Sequence, residues 1–182
     1  VSSESETLSV NTYANLPCAP NDLYLALAEK IKLKVPKNID ICADANHGRL
    51  SKLLYFTSKL NFRFPTTWAP ELQENIKDPL AFIGRMSKKT DFDFSQSTAI
   101  AYNRTSVKEI FLGGIFFDQD PLDALSVLIH EARHSSEFDP AHTTCRLGDI
   151  PRADGGCDQK LSVKEQNAGA YSYGAAFYAA LG

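Results

Sequence analysis

Residues 121–134 read PLDALSVLIHEARH, and no other stretch constrains the fold as much. Asp120 and Pro121 suit a helix start, because proline's missing N–H is not needed in the first turn. An apolar run then leads into His130 and His134. A helix places residues four apart one turn apart on the same face. Two of the chain's four histidines would therefore stand together on one side of one helix, with a third, His142, close behind.

The five residues His130-Glu131-Ala132-Arg133-His134 form an H-E-x-x-H motif. Two imidazoles at this spacing can grip one metal ion. Glu131, one position after the first of them, can reach a metal-activated water rather than the metal. Zinc lowers the pKa of such a water to about 7, and a neighbouring carboxylate can take its proton as general base and return it to a leaving amine. Five letters also recur by chance, so context decides. Here the apolar SVLI before His130 predicts a buried helix, in which two ring nitrogens need partners.

Composition sets the bounds. The chain has 182 residues, 43% hydrophobic and 23% charged, which suits one soluble globular domain spanning 1–182. A net charge of −3 leaves no electrostatic footprint for nucleic acid. The lysines of KIKLKVPK read as a solvated face. No apolar run approaches the roughly 20 residues of a membrane span. The chain begins without Met and with a Ser/Thr/Glu-rich stretch, which reads as a mature secreted chain or a trimmed one.

Four cysteines in two separated groups, none in a C-x-x-C, predict the disulfides Cys18–Cys42 and Cys145–Cys157. An oxidising compartment, secreted or periplasmic, follows from that pairing; four buried free thiols in a cytosolic protein are the alternative.

Along the chain, residues 1–17 read as extended. Asn21 and Asp22 read as capping a helix with Leu23, Leu25, Leu27 and Ile31 in an amphipathic pattern. Leu50 to Phe62 and Asp78 to Lys89 are further helical candidates. TAIAY and EIFLGGIFF, separated by the polar turn NRTS, read as an antiparallel hairpin. Asn103-Arg104-Thr105 is also a glycosylation sequon, a triplet common by chance. An Ala-rich helix, SVKEQNAGAYSYGAAFYAAL, closes the chain. The fold class is α+β, mostly helical, with a small antiparallel sheet packed on the H-E-x-x-H helix. The hairpin offers an edge strand against which a peptide could pair. His47, alone in the polar turn DANHGR, is given no role.

From about Thr98 onward the order hairpin, edge strand, SVLIHEARH helix, loop and closing helix resembles the zincin metallopeptidases. The N-terminal half carries no matching motif. The resemblance implies a zincin-like fold with one zinc ion on His130 and His134 and Glu131 as base. One departure is Arg133, because the stricter pattern prefers uncharged residues between the histidines. An arginine there can point to solvent or pair with an acid such as Asp139 or Asp158.

Catalytic zinc sites usually have three protein ligands and an open position. The H-E-x-x-H-x-x-G-x-x-H spacing fails, since Glu137 and Pro140 stand where Gly and His are needed. His142 comes two residues late, but a loop ending near Phe138 can return it, and a Cys145–Cys157 bridge would tether it. Glu165, followed by Ala168, is similar to the E-x-x-A signature of several such peptidases. His142 ranks first as third ligand, Glu165 second and Asp158 third. Glu137, on the histidines' helical face, suits a partner or surface role. Tyr171 and Tyr173 could supply a phenolic donor to an oxyanion, as tyrosines do in some zincins; Tyr171 is the expected catalytic one.

The expected function is a secreted zinc-dependent hydrolase, a metallopeptidase acting on a peptide or protein. The alternatives are a metal-dependent amidase of cell-wall peptides and a non-catalytic, metal-stabilised binding module.

Overall fold

Aspartates and prolines set several helix starts. In α3 (Ala45–Thr57), Asp44 accepts the free amides of Asn46 and His47 at 2.9 and 2.7 Å. α5 (Pro79–Met86) and α6 (Pro121–His134) each begin at a proline behind an aspartate. Asp78 accepts from Ala81 N at 3.0 Å and Asp120 from Leu122 N at 2.9 Å. The computed structural model describes residues 12–136, 143–144, 156–157 and 169–181.

Within that range the remaining helices are α1 (Thr12–Asn15), α2 (Asn21–Lys30), α4 (Pro70–Lys77) and α7 (Ala170–Leu181). The strands are β1 (Lys89–Phe92), β2 (Ala101–Arg104), β3 (Glu109–Leu112), β4 (Thr143–Thr144) and β5 (Gly156–Cys157). The protein is mixed α and β, and mostly helical, as expected. The expected antiparallel hairpin is present as β2 and β3, but a third strand makes the sheet mixed rather than antiparallel. The order is β1-β3-β2, with β1 parallel to β3 and β2 antiparallel.

Sheet register separates two faces. Thr90, Ile110 and Asn103 align across the strands, as do Phe92, Leu112 and Ala101, and this face packs on α6. The opposite face carries Lys89, Glu109, Arg104, Asp91, Phe111 and Tyr102. There Tyr102 stacks on Phe111 and the Arg104 guanidinium lies 4.5 Å from the Phe111 ring centre, so Phe111 is covered although it faces away from the core.

The turn begins two residues later than NRTS predicts, because Asn103 and Arg104 belong to β2. The segment EIFLGGIFF also stops being a strand at Leu112. A Cβ on Gly113 would lie 2.2 Å from the Ala99 carbonyl oxygen, so only glycine lets the chain fold back there. Phe116–Asp118 then forms a short 3-10 turn.

One apolar core joins these elements. Tyr24, Leu27, Ala28 and Ile31 form the buried stripe of α2 at spacings of three and four, which leaves Leu25 46% exposed, against expectation. Pro20, not Asn21, occupies the cap position of α2. Leu50, Leu53 and Leu54 from α3, Phe82 and Ile83 from α5, Ile110 and Leu112 from β3 and Phe177 from α7 enclose Leu125, Leu128 and Ile129 of α6. Two glycines set close crossings: a Cβ on Gly84 would meet Lys30 O at 1.7 Å, and one on Gly174 would meet Ser126 Oγ at 2.9 Å.

The chain before residue 17 is not wholly extended. α1 buries Tyr13 edge-on against Phe117, and Lys52 Nζ donates to the Tyr13 carbonyl at 2.8 Å. Cys18 and Cys42 are joined, with their Cα atoms 6.0 Å apart. Cys145 lies outside the described residues, and of Cys157 only its pairing in β5, opposite Thr143, is described.

Candidate metal centre

α6 has two faces. Ala124, Leu125, Leu128, Ile129, Ala132 and Arg133 are buried, while Ser126, Val127, His130, Glu131 and His134 are half-buried. Both sets repeat at three and four residues, so the helix presents one stripe to the core and the other outward. The histidines are therefore not core residues, as the apolar SVLI suggested. They stand on the outward stripe.

That stripe is one wall of a cleft of about 640 Å³. Ser126, Val127, His130 and Glu131 line it from α6, Thr98, Ile100 and Ala101 from β2 and the segment before it, and Tyr171, Gly174, Ala175 and Tyr178 from α7. Tyr178 donates to Asp123 of α6 beside the cleft. Among these lining residues Glu131 carries the one carboxylate.

The Nε2 atoms of His130 and His134 are 3.1 Å apart. With one nitrogen protonated and the other not, this is a hydrogen bond. It is also near the separation two nitrogens adopt on one tetrahedral zinc, roughly 3.3 Å for bonds of about 2.0–2.1 Å. The pair thus fits two positions of a zinc shell. Among the described residues no group of three or more His, Cys, Asp or Glu converges on such a point. His142, Glu165 and Asp158, the three expected sources of a third ligand, lie outside the described residues, as do Glu137 and Asp139.

The two tyrosines part company. The Tyr171 ring lies 4.4 Å, centre to centre, from His130 and borders the cleft. Tyr173 faces the core: it stacks on Phe82 at 5.1 Å, and its hydroxyl accepts from Asn75 Nδ2 at 3.1 Å. Burial raises its pKa above the ordinary phenol value. Residues two apart on a helix point about 200° apart, so only one could face the cleft.

Arg133 does not point to solvent. It is 4% exposed, lies 5.0 Å over the Tyr173 ring and donates to Ser136 Oγ at 3.1 Å. A charged residue in the motif's variable position is accommodated on the core side of α6.

Two residues escaped the sequence reading. Asn103, half-buried on the α6-facing side of β2, donates from Nδ2 to the Glu131 carbonyl at 2.6 Å and to Ser135 Oγ at 2.5 Å. The sequon nitrogen is thus engaged inside the fold. Strand alternation was the available signal: a polar residue between outward Tyr102 and Arg104 must face inward. His47 is the other. It lies in the first turn of α3, 8% exposed, with Nδ1 2.6 Å from the Tyr24 hydroxyl and its ring edge-on to Phe92. Burial holds its pKa below the ordinary imidazole value, against the opposing pull of Asp44 and Asp91.

No protein-family model matches the chain, and no curated protein or solved structure gives a significant match.

Proposed function

We propose that the protein is a zincin-like, zinc-dependent hydrolase that cleaves amide bonds in peptides or proteins. The observation that carries this reading is the His130–His134 pair, its Nε2 atoms 3.1 Å apart, with His130 and Glu131 on the wall of an open cleft. His130 and His134 would hold the ion, with the third ligand drawn from His142, Glu165 or Asp158. Zinc in such a site supplies Lewis acidity, polarising a carbonyl and making water acidic near neutrality.

The chain's own residues supply the rest. Glu131 takes the proton of the attacking water and returns it to the departing nitrogen. Tyr171, against His130 at the cleft wall, donates its phenolic hydrogen to the carbonyl oxygen as that oxygen gains charge. β2 is an edge strand of its sheet, the one that contributes to the cleft lining, so an extended peptide would pair along it. A secreted or periplasmic setting is supported by the Cys18–Cys42 disulfide, and no helix of the described residues is long and apolar enough to cross a membrane.

Zinc stoichiometry and turnover of a peptide mixture test the reading together. Glu131→Gln is expected to keep about one zinc and lose turnover. Full activity in that variant, or zinc binding indifferent to His130→Ala, sinks it. His142→Ala beside Glu165→Ala identifies the third ligand by loss of zinc affinity, with Asp158→Ala to follow if neither weakens it.

A further inference from the structure

We propose that Asn103 is a positioning residue for the histidine pair: its amide clamps the last turn of α6 to β2 and thereby fixes where His134 stands. The proposal rests on the metal-site reading. The last carbonyls of a helix have no amide partner in the next turn and must find one elsewhere. At the end of α6 the chain tightens: Ser135 N bonds to Ala132 O and Ser136 N to Arg133 O, each three residues back. The Glu131 carbonyl, which a continuing α-helix would give to Ser135 N, instead receives Asn103 Nδ2 at 2.6 Å. The same nitrogen reaches Ser135 Oγ at 2.5 Å, and Ser135 is 1% exposed. Residues 131 and 135 bracket one turn, and His134 is on it.

The orientation of the amide has a cost that shows what it is for. Asn103 Oδ1 is buried and has no hydrogen-bond partner. Turning the amide over would let Oδ1 accept from the Ser135 hydroxyl, but it would set oxygen against the Glu131 carbonyl oxygen. The observed arrangement leaves one acceptor unpaired and keeps the carbonyl held. A residue that only filled this face of the strand, beside Ala101, Ile110 and Leu112, would be apolar.

Three variants test the clamp. Asn103→Asp keeps the shape and replaces both donors with oxygen; Asn103→Ala removes the amide; Ser135→Ala removes one acceptor. Zinc affinity is read by competition with a chromophoric chelator, and the ring 15N signals of His130 and His134 are read in the metal-free protein. Both Asn103 variants are expected to bind zinc about tenfold or more weakly, as when a partner behind a metal ligand is lost, and to shift the ring signals; Ser135→Ala shows a smaller loss. A folded Asn103→Ala protein with unchanged zinc affinity and ring signals, even if less heat-stable, overturns the proposal. If the Asn103 variants do not fold, Ser135→Ala decides: weakened zinc binding supports the clamp and unchanged binding overturns it. If the unaltered protein binds no zinc through His130 and His134, the metal reading fails, and the ring signals alone decide the clamp.

Discussion

His130 and His134 stand with their Nε2 atoms 3.1 Å apart and their rings crossed at 77° on the cleft side of α6. Without metal one proton must lie between the two nitrogens for them to attract. On the proposed metal reading, a cation shared by both would replace it and bind only the folded chain. Zinc at a hundredfold excess over its Kd should therefore stabilise the protein by about 2.7 kcal/mol, a rise in Tm of about 5–10 °C. His134→Ala should abolish the rise. Differential scanning fluorimetry with and without zinc measures it, and an equal rise in the variant would place the ion elsewhere.

Gly84 and Gly174 both lie at helix crossings, yet they predict different penalties. A Cβ at Gly84 meets the Lys30 backbone oxygen at 1.7 Å, and backbone cannot rotate away. Gly84→Ala should cost about 3 kcal/mol or more, despite alanine's better helix propensity. At Gly174 the obstacle is the Ser126 hydroxyl at 2.9 Å, the movable end of a side chain. Gly174→Ala should cost about 1 kcal/mol or less. Urea midpoints of the two variants give the comparison; equal losses would contradict it.

The parts legible in the sequence were those set by near neighbours. α6 announces itself through Asp120, Pro121 and a regular apolar stripe, and its histidines fall on one face by helix geometry alone. β1 was missed because KTDF is short and gains its place by pairing in parallel with β3, a contact no local pattern encodes. α4 was missed because PELQENIK is short and mostly polar, although Leu72 and Ile76 at spacing four do bury. His47 was misread for two reasons. Asp44 caps a helix that starts there rather than at Leu50, and the groups that bury it, Tyr24 and Phe92, come from distant elements. Within the site, Asn103 required the strand register, which depends on where the turn closes.

The disulfide predicts a stability loss independent of the cleft. Cys18 and Cys42 are 24 residues apart, and closing a loop of that size removes about 3 kcal/mol of unfolded-chain entropy. The double variant Cys18→Ser, Cys42→Ser should lose about that much, seen as a lower guanidinium midpoint with an unchanged circular dichroism spectrum. A loss well under 1 kcal/mol would mean the bond strains the native chain as much as it restrains the unfolded one.

His47 predicts how stability responds to acid. Its folded pKa lies below the ordinary value of 6.5, first because it is buried, and Tyr24 and Phe92 pack on its ring. Asp44 and Asp91 pull the other way and lose to burial. The unfolded chain therefore binds the proton more readily than the folded one, and stability rises with pH wherever that is so. The contribution is complete above the unfolded value and is lost as pH falls below about 6.5 toward the folded value. Asp44 acts in a separate window. Its pKa is depressed chiefly by the backbone bond to His47, so the stability it adds is lost only below the usual carboxylate range. Unfolding midpoints between pH 7.5 and 5 should fall in the unaltered protein. In His47→Gln, which has no proton to gain, the slope should be flatter. An equal slope in the two proteins would assign the acid sensitivity to other groups.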